Sequence, residues 1–319
     1  MNHWAEIFRE AVSAKLWLFD STGLTALLVL FSLLLTGCLV REAIIATGLA
    51  RRESDWRELF LYSAVVIGLA SVIFVELLSA FNQLNRPWIV TCWVGFIGLL
   101  VLLLRKKIGE SAGRIMAARL KQLAVSLKKK LRNLSLAEAI IGIILLLTFL
   151  VAYIAAPNNW DSMTYHMTKV AHWAQNANTN FYPTNEIRQL YYGPGAEYLI
   201  LNLQLLVGAD RLANMVQWFS YLGSIVLASL LVKRLGGDKK AQALGALAAA
   251  TIPMAILQAT STQNDLVVAL WTLCCINLLF MLEKEPSWWK VTMFGGALAL
   301  ALLTKATSAI FLLPFGTVR

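Results

Sequence analysis

Three ionisable residues stand where an apolar chain gives way to polar residues, and their types suit group transfer on a lipid-borne substrate. Asp161 lies in Asn159-Trp160-Asp161-Ser162-Met163-Thr164-Tyr165-His166, soon after a long apolar run. Asp265 follows the polar turn Gln258-Ala259-Thr260-Ser261-Thr262-Gln263-Asn264 and opens the next apolar run. Lys305 interrupts a third run, between Leu303 and Ala309. An acid at a membrane boundary is costly without a partner or a use. An ammonium at head-group depth suits the phosphate of a phosphorylated lipid.

Each of these residues also has an ordinary explanation. Asp161 is well suited to a helix N-cap, because its carboxylate accepts a bond from an orphan backbone N–H. Asp265 would sit at the positive end of a helix dipole, and Lys305 could snorkel. Trp160, Tyr165 and Trp173 are at home in an interfacial aromatic belt. His166 and His172 lack the spacing of a helical metal pair and suit a polar surface. Written as a helix, 161–176 places Met163, Met167, Val170 and Ala174 on one stripe. Asp161, Tyr165, Thr168, Lys169 and His172 form the other. The apolar stripe is expected to settle on the membrane surface and the polar stripe to face a cavity above it.

The rest of the chain is built to dissolve in lipid. It has 319 residues, of which 58% are hydrophobic and only 14% charged, and its mean hydropathy is +0.65. Several apolar runs approach or pass the roughly 18 residues that mark a spanning helix, and the alternation expected of a membrane barrel is absent. The class is therefore all-α: a polytopic transmembrane helical protein. The net charge of +10 does not imply nucleic acid, because the basic residues gather in alternate loops. Arg51, Arg52 and Arg57 form one group, Arg105 to Arg132 another, and Lys233, Arg234, Lys239 and Lys240 a third. That is the positive-inside pattern, with some attraction to anionic membrane lipids. All four cysteines (Cys38, Cys92, Cys274, Cys275) fall in apolar segments, without disulfide or metal spacing. No cleavable signal peptide is visible.

Along the chain, residues 2–20 carry helical apolar spacing with charges between and are expected to form an interfacial helix. Spans are expected near 22–40, 59–80 and 88–104, then a basic amphipathic segment over 105–134, then a span near 137–156. A polar connection follows to about 211, holding a helix at 161–176 and an apolar stretch at 196–207. Further spans are expected near 212–232, 241–258 and 265–282, and 289–318 divides into two helices meeting near Lys305. A boundary near residue 135 separates an N-terminal part, 1–135, from a part that holds the polar constellation, 136–319. The chain stops directly after an apolar helix, as a fragment of a longer protein would. With the basic loops inside, the 157–211 connection, the 259–264 turn and Lys305 share the outer side.

These motifs, taken in order, carry a resemblance. Asn159-Trp160-Asp161 with Tyr165-His166, then Tyr182-Pro183-Thr184, then Gly193-Pro194-Gly195-Ala196-Glu197 resemble the first outer loop of GT-C membrane glycosyltransferases. That superfamily includes protein O-mannosyltransferases and the aminoarabinose transferase of lipid A. Thr260 to Asp265 resembles its second acidic motif, and Leu302-Leu303-Thr304-Lys305 its Leu-Thr-Lys stretch. The resemblance covers about 137–315. One position departs from it: many relatives carry Asp-Glu where this chain has Asp161-Ser162, which weighs against any mechanism needing paired carboxylates.

The resemblance implies a GT-C-like core with an extended outer loop bearing an interfacial helix. It implies a polyprenyl-phosphate-linked sugar as donor and a lipid, glycan or protein as acceptor, with inversion at the sugar carbon. The implied setting is the outer, periplasmic face of a bacterial cytoplasmic membrane. On that basis Asp161 is the expected base for the acceptor hydroxyl. Lys305 with Arg188 would stabilise the leaving phosphate, and Asp265 would orient hydroxyls. Trp160 and Tyr165 would wall a sugar ring, while His166, Lys169, Glu197 and Asn264 complete the expected binding set. No protein metal site is expected, and a divalent cation is left open as a cofactor. The alternative is a transporter or lipid-linked oligosaccharide flippase, in which ionisable groups would lie at mid-membrane along a path open to both sides. A non-catalytic membrane scaffold is the third option.

Overall fold

The computed structural model describes residues 21–108 and 134–316. The interfacial helix expected over 2–20, and all but the ends of the basic segment expected over 105–134, lie outside the described residues. Every regular element among the described residues is helical, so the all-α class holds. Four helices come first: α1 (Ser21–Ala46), α2 (Trp56–Ala80), α3 (Arg86–Ile108) and α4 (Leu136–Ile154). The polar connection contains a π turn (Ser162–His166), α5 (Met167–Asn176), α6 (Arg188–Tyr191) and α7 (Gly195–Val207). A 3-10 turn (Asp210–Leu212) then leads into α8 (Met215–Arg234), followed by α9 (Lys239–Ala250) and α10 (Pro253–Gln258). Last come α11 (Asp265–Lys284), α12 (Trp288–Thr304) and α13 (Ser308–Gly316).

Among the described residues, six segments are long and apolar enough to cross a membrane: α1, α2, α3 to Arg105, α4, Asp210–Arg234 and α11. Their lipid-facing sides carry exposed residues such as Leu28, Phe31, Leu102 and Leu146, as expected where hydrocarbon replaces water. The continuous span expected over 241–258 is instead two pieces, α9 and α10, separated at Thr251–Ile252. Pro253 is the cause. It has no N–H to donate and its ring clashes with a preceding helical carbonyl, so it opens a new helix at the first position. The break expected near Lys305 is present between α12 and α13.

The bundle has two distinct polar ends. At one end Asp55 caps α2 and pairs with Lys233 at 2.7 Å. Arg234 meets Glu58 at 2.8 Å, and Arg57 reaches Gln242 at 3.1 Å. This is the basic end. At the other, the site end, the α2–α3 turn holds the polar connection: Ser79 accepts from the Thr179 amide at 2.8 Å, and Leu84 N–H donates to Ala177 C=O at 3.0 Å. Asn214 donates to Ala155 C=O at 2.8 Å and ties α8 to the end of α4. Between the ends, α2 packs against α1, α7, α8 and α12, and α11 lies between α8 and α12. One apolar core draws on both parts of the chain, including Leu59, Leu61, Val65, Ile200, Leu227 and Leu278.

Candidate active site

Asp161 stands at the entry to the π turn but does not cap it. That role falls to Asn159, whose Oδ1 accepts from the Ser162 amide at 2.8 Å. The Asp161 carboxylate is left for other partners, with 38% of its side chain exposed. Gln263 Nε2 donates to its Oδ2 at 3.2 Å, and Arg188 Nη1 lies 3.9 Å from Oδ1. The Arg188 guanidinium also lies over the Tyr165 ring, 4.7 Å from its centroid. Burial first, and then the charge and hydrogen bond of Asp161, hold the Tyr165 phenol above its ordinary range. Tyr165 therefore stays protonated and serves Asp161 as a donor. Arg188 is committed elsewhere as well, through two bonds of 2.7 Å to Glu186. Those bonds lower the Glu186 carboxyl to about 2.

Asp265 and Lys305 meet directly, with Nζ 2.6 Å from Oδ1 and side chains 41% and 43% exposed for Lys305 and Asp265. Gln258 Nε2 donates to the other Asp265 oxygen at 3.0 Å. As with Asp161, the carboxylate of Asp265 does not cap its helix: Gln217 Oε1 accepts from the Leu266 and Val267 amides of α11 at 3.1 and 3.2 Å, and the N-cap residue Asn264 is buried. Lys305 is positioned by a close backbone contact. A Cβ on Gly193 would lie 2.4 Å from Leu303 O, and one on Gly195 2.8 Å from Thr304 N. Gly193-Pro194-Gly195 thus seats against the last turn of α12, immediately before Lys305. No larger residue fits there without moving backbone.

The α10–α11 turn is the hinge pin of the arrangement. Gln258 holds Asp265, Gln263 holds Asp161, and the Thr262 amide donates to Ser162 Oγ at 3.4 Å. Ser162 and Thr262 are both fully buried. Ser162 therefore acts as a docking point between two loops, and a second acid at that position would be enclosed.

His166, Lys169 and Glu197 form a separate, buried cluster. His166 Nδ1 is 2.9 Å from Glu197 Oε1, Lys169 Nζ is 3.9 Å from the same oxygen, and all three side chains are at most 3% exposed. Lys169 also donates to Tyr192 C=O at 2.7 Å and lies 5.2 Å from the Trp173 ring centroid. Burial lowers its pKa, against the opposing pull of Glu197. This differs from the expected polar stripe, on which Lys169 faced a cavity with Asp161. The π turn is the reason. It takes in one extra residue, which rotates everything after it by about 100° relative to a continuous α-helix. Lys169 and Val170 turn inward, while Met163, inside the turn and not rotated by it, is 56% exposed. Trp160 is 75% exposed and stands on the rim.

Several residues that hold the site carry no sequence signal of their own. Gln189 donates to Thr164 C=O at 2.7 Å and accepts from Tyr182 at 3.1 Å and Thr184 at 3.0 Å. It thereby fastens Tyr182-Pro183-Thr184 to the π turn. His172 stacks on Tyr182 at 4.0 Å, and burial pushes the Tyr182 phenol up to about 12. Among the described residues, no group of three or more His, Cys, Asp or Glu side chains converges to hold a metal ion. The donor set therefore does not by itself fit the divalent cation left open above.

Residues 193–316 match the family model described as dolichyl-phosphate-mannose-protein mannosyltransferase. The match begins at the first glycine of Gly193-Pro194-Gly195 and takes in Asp265 and Lys305, while Asp161 precedes it. It bears out the resemblance to GT-C membrane glycosyltransferases, a group whose donor is a polyprenyl-phosphate-linked sugar. No curated protein and no solved structure matches the chain.

Proposed function

We propose, taking that membrane mannosyltransferase family as premise, that this chain moves a sugar from a polyprenyl phosphate to a lipid, glycan or protein hydroxyl. One observation carries the proposal. Asp161, Asp265 and Lys305, far apart in sequence, are tied to one end of the bundle through the same turn and the same glycine contact. All three are roughly 40% exposed, and neither carboxylate is used as a helix cap. Ionisable groups gathered at a helix end favour transfer over transport, for which they would line a path at mid-depth.

In this proposal the acceptor hydroxyl gives its proton to Asp161, with Tyr165 and Gln263 fixing the carboxylate. The acceptor oxygen bonds to the sugar carbon, and that carbon's bond to the phosphate oxygen breaks. Electrons of the broken bond leave on the phosphate, and the sugar carbon is inverted. Lys305 stabilises the growing phosphate charge. Asp265 aims Lys305 before the donor arrives and a sugar hydroxyl after it. Arg188, bound to Glu186, orients Asp161 and Tyr165. Trp160 offers a ring on the rim for stacking. His166, Lys169 and Glu197 brace the helix that carries Asp161, and Asn264 braces the start of α11. The basic loops at the opposite end support an outer-face site in a bacterial cytoplasmic membrane. The first three spanning helices then form an added N-terminal module.

The test is a radiolabelled transfer assay in membranes, supplying polyprenyl-phosphate sugars to the wild type and to Asp161→Asn. Wild-type transfer lost in the variant, with expression unchanged, is the expected result. Near-normal turnover in Asp161→Asn sinks the base assignment, and no transfer by the wild type from any such donor sinks the function.

A further inference from the structure

A polar cavity lies at the basic end, away from the site just described. Its volume is about 710 Å³, and its wall draws on the α1–α2 loop, α8, α11 and the start of α12. Arg51, Lys233, Arg234, Lys284 and Lys290 line it against only Glu53, Glu58 and Glu285. Most of these charges are already paired. Arg234 meets Glu58 at 2.8 Å, Lys290 meets Glu285 at 3.2 Å, and Lys233 meets Asp55 at 2.7 Å. Arg51 and Lys284 have no acidic partner within salt-bridge distance among the described residues.

Two further features have the same sign. Ser287, the N-cap of the 17-residue helix α12, lies in the wall, so the positive end of that helix dipole opens on the cavity. The Arg234 side chain is only 8% exposed, so the cationic wall extends into the protein interior rather than lying wholly on the surface. The floor is closed by Tyr62, Leu230 and Met281, all buried. A ligand there would keep its charged part among the cations and gain no apolar tunnel beneath. The volume is within the usual range for small-molecule sites, about 300–1,000 Å³, and far exceeds a single phosphate ion.

We propose that this cavity binds a phosphate-bearing anion larger than inorganic phosphate, with Arg51 and Lys284 as its two uncommitted contacts. Such a group could come from an anionic lipid head group or from a soluble organic phosphate. The experiment separates the two sources. Purified, delipidated protein is placed in phosphatidylcholine nanodiscs with and without phosphatidylglycerol, and retained lipid is measured by mass spectrometry. The same protein in detergent is titrated calorimetrically with glycerol 3-phosphate. Arg51→Gln with Lys284→Gln is compared with Lys239→Gln and Lys240→Gln, which removes the same charge at the same end but outside the cavity.

Binding by the wild type to either probe, weakened about tenfold or more by the first pair and little by the second, is the expected result. Retention of phosphatidylglycerol alone assigns a lipid head group, and glycerol 3-phosphate binding alone assigns a soluble ligand. Equal loss in both pairs would show diffuse surface charge and overturn the site, as would no binding of either probe. Arg51 is exposed and unpaired and Lys284 is exposed at a helix end, so melting temperatures should stay near wild type. A pair in which Arg51→Lys and Lys284→Arg restore the charges should recover binding.

Discussion

The two ends of the bundle use the same residue type in opposite ways. At the basic end Asp55 accepts from the Arg57 amide at 3.0 Å, and Asp238 accepts from the Ala241 amide at 2.8 Å, each capping a helix. Ser135 and Glu138 close a capping box on α4. Asp55 is also neutralised by Arg57 and Lys233, and its side chain is only 10% exposed. At the site end Asp161 and Asp265 stand at helix starts too, yet neither caps, and both are roughly 40% exposed. A carboxylate cap is worth about 1 kcal/mol. At the site end that work is done by neutral amides, Asn159 at the π turn and Gln217 at α11, which separates acids that hold the fold from acids available for chemistry.

Asp161→Asn should give the largest effect. Losing a general base costs about 100- to 10,000-fold in rate, while the stability of the folded protein should move by less than about 0.5 kcal/mol because no cap is lost. A clear drop in melting temperature alongside lost transfer would erase the contrast between the two ends. Lys305→Ala comes next, at about 100-fold, the order found for removing one group that stabilises developing charge. Its loss should appear in donor dependence far more than in acceptor dependence. Equal losses for both substrates would remove the phosphate role and leave Lys305 as a partner for Asp265.

Asp55→Ala inverts the expectation. Transfer per folded molecule should be unchanged, and stability should fall by about 2 kcal/mol from the lost cap and the unpaired Lys233. Burial alone would raise the Asp55 carboxyl, but its bonds to Arg57 and Lys233 hold it well below the usual range. Its contribution is therefore complete above pH about 4 and is lost as pH falls below that value. Denaturation of wild type and variant in parallel over acidic pH checks the sign, since the gap between them should close on acidification.

The fold was mostly legible from hydropathy, because spanning helices announce themselves by length and apolar content. The missed break at Thr251–Ile252 shows where composition misleads. Ala, Leu and Ile on both sides read as one run, and only the backbone chemistry of Pro253 divides it. At the site, Asp161, Asp265 and Lys305 were legible because a charge beside an apolar run is conspicuous. The partners that aim them were not. Gln258, Gln263, Asn159 and Gln189 are amides in polar turns, and nothing in their local sequence tells which carboxylate or carbonyl they will meet. A 3.6-residue period carried through 162–166 puts Lys169 on the wet stripe, but the chain inserts a π turn there. Which side of α5 is buried was thus decided by one extra residue.

That rotation leads to the smallest and most specific prediction. If Lys169 is buried among His166, Trp173 and Glu197, its pKa lies below its ordinary value. Just below pH about 10.4 the unfolded chain then binds more protons than the folded one, so stability rises with pH through that interval. Lys169→Met has no such group, while the raised tyrosines of the loop are common to both proteins and cancel. The stability of wild type relative to Lys169→Met should therefore increase as pH rises toward about 10.4. A decrease would mean that the pull of Glu197 outweighs burial. Lys169 would then be held charged in the buried cluster by its ion pair with Glu197.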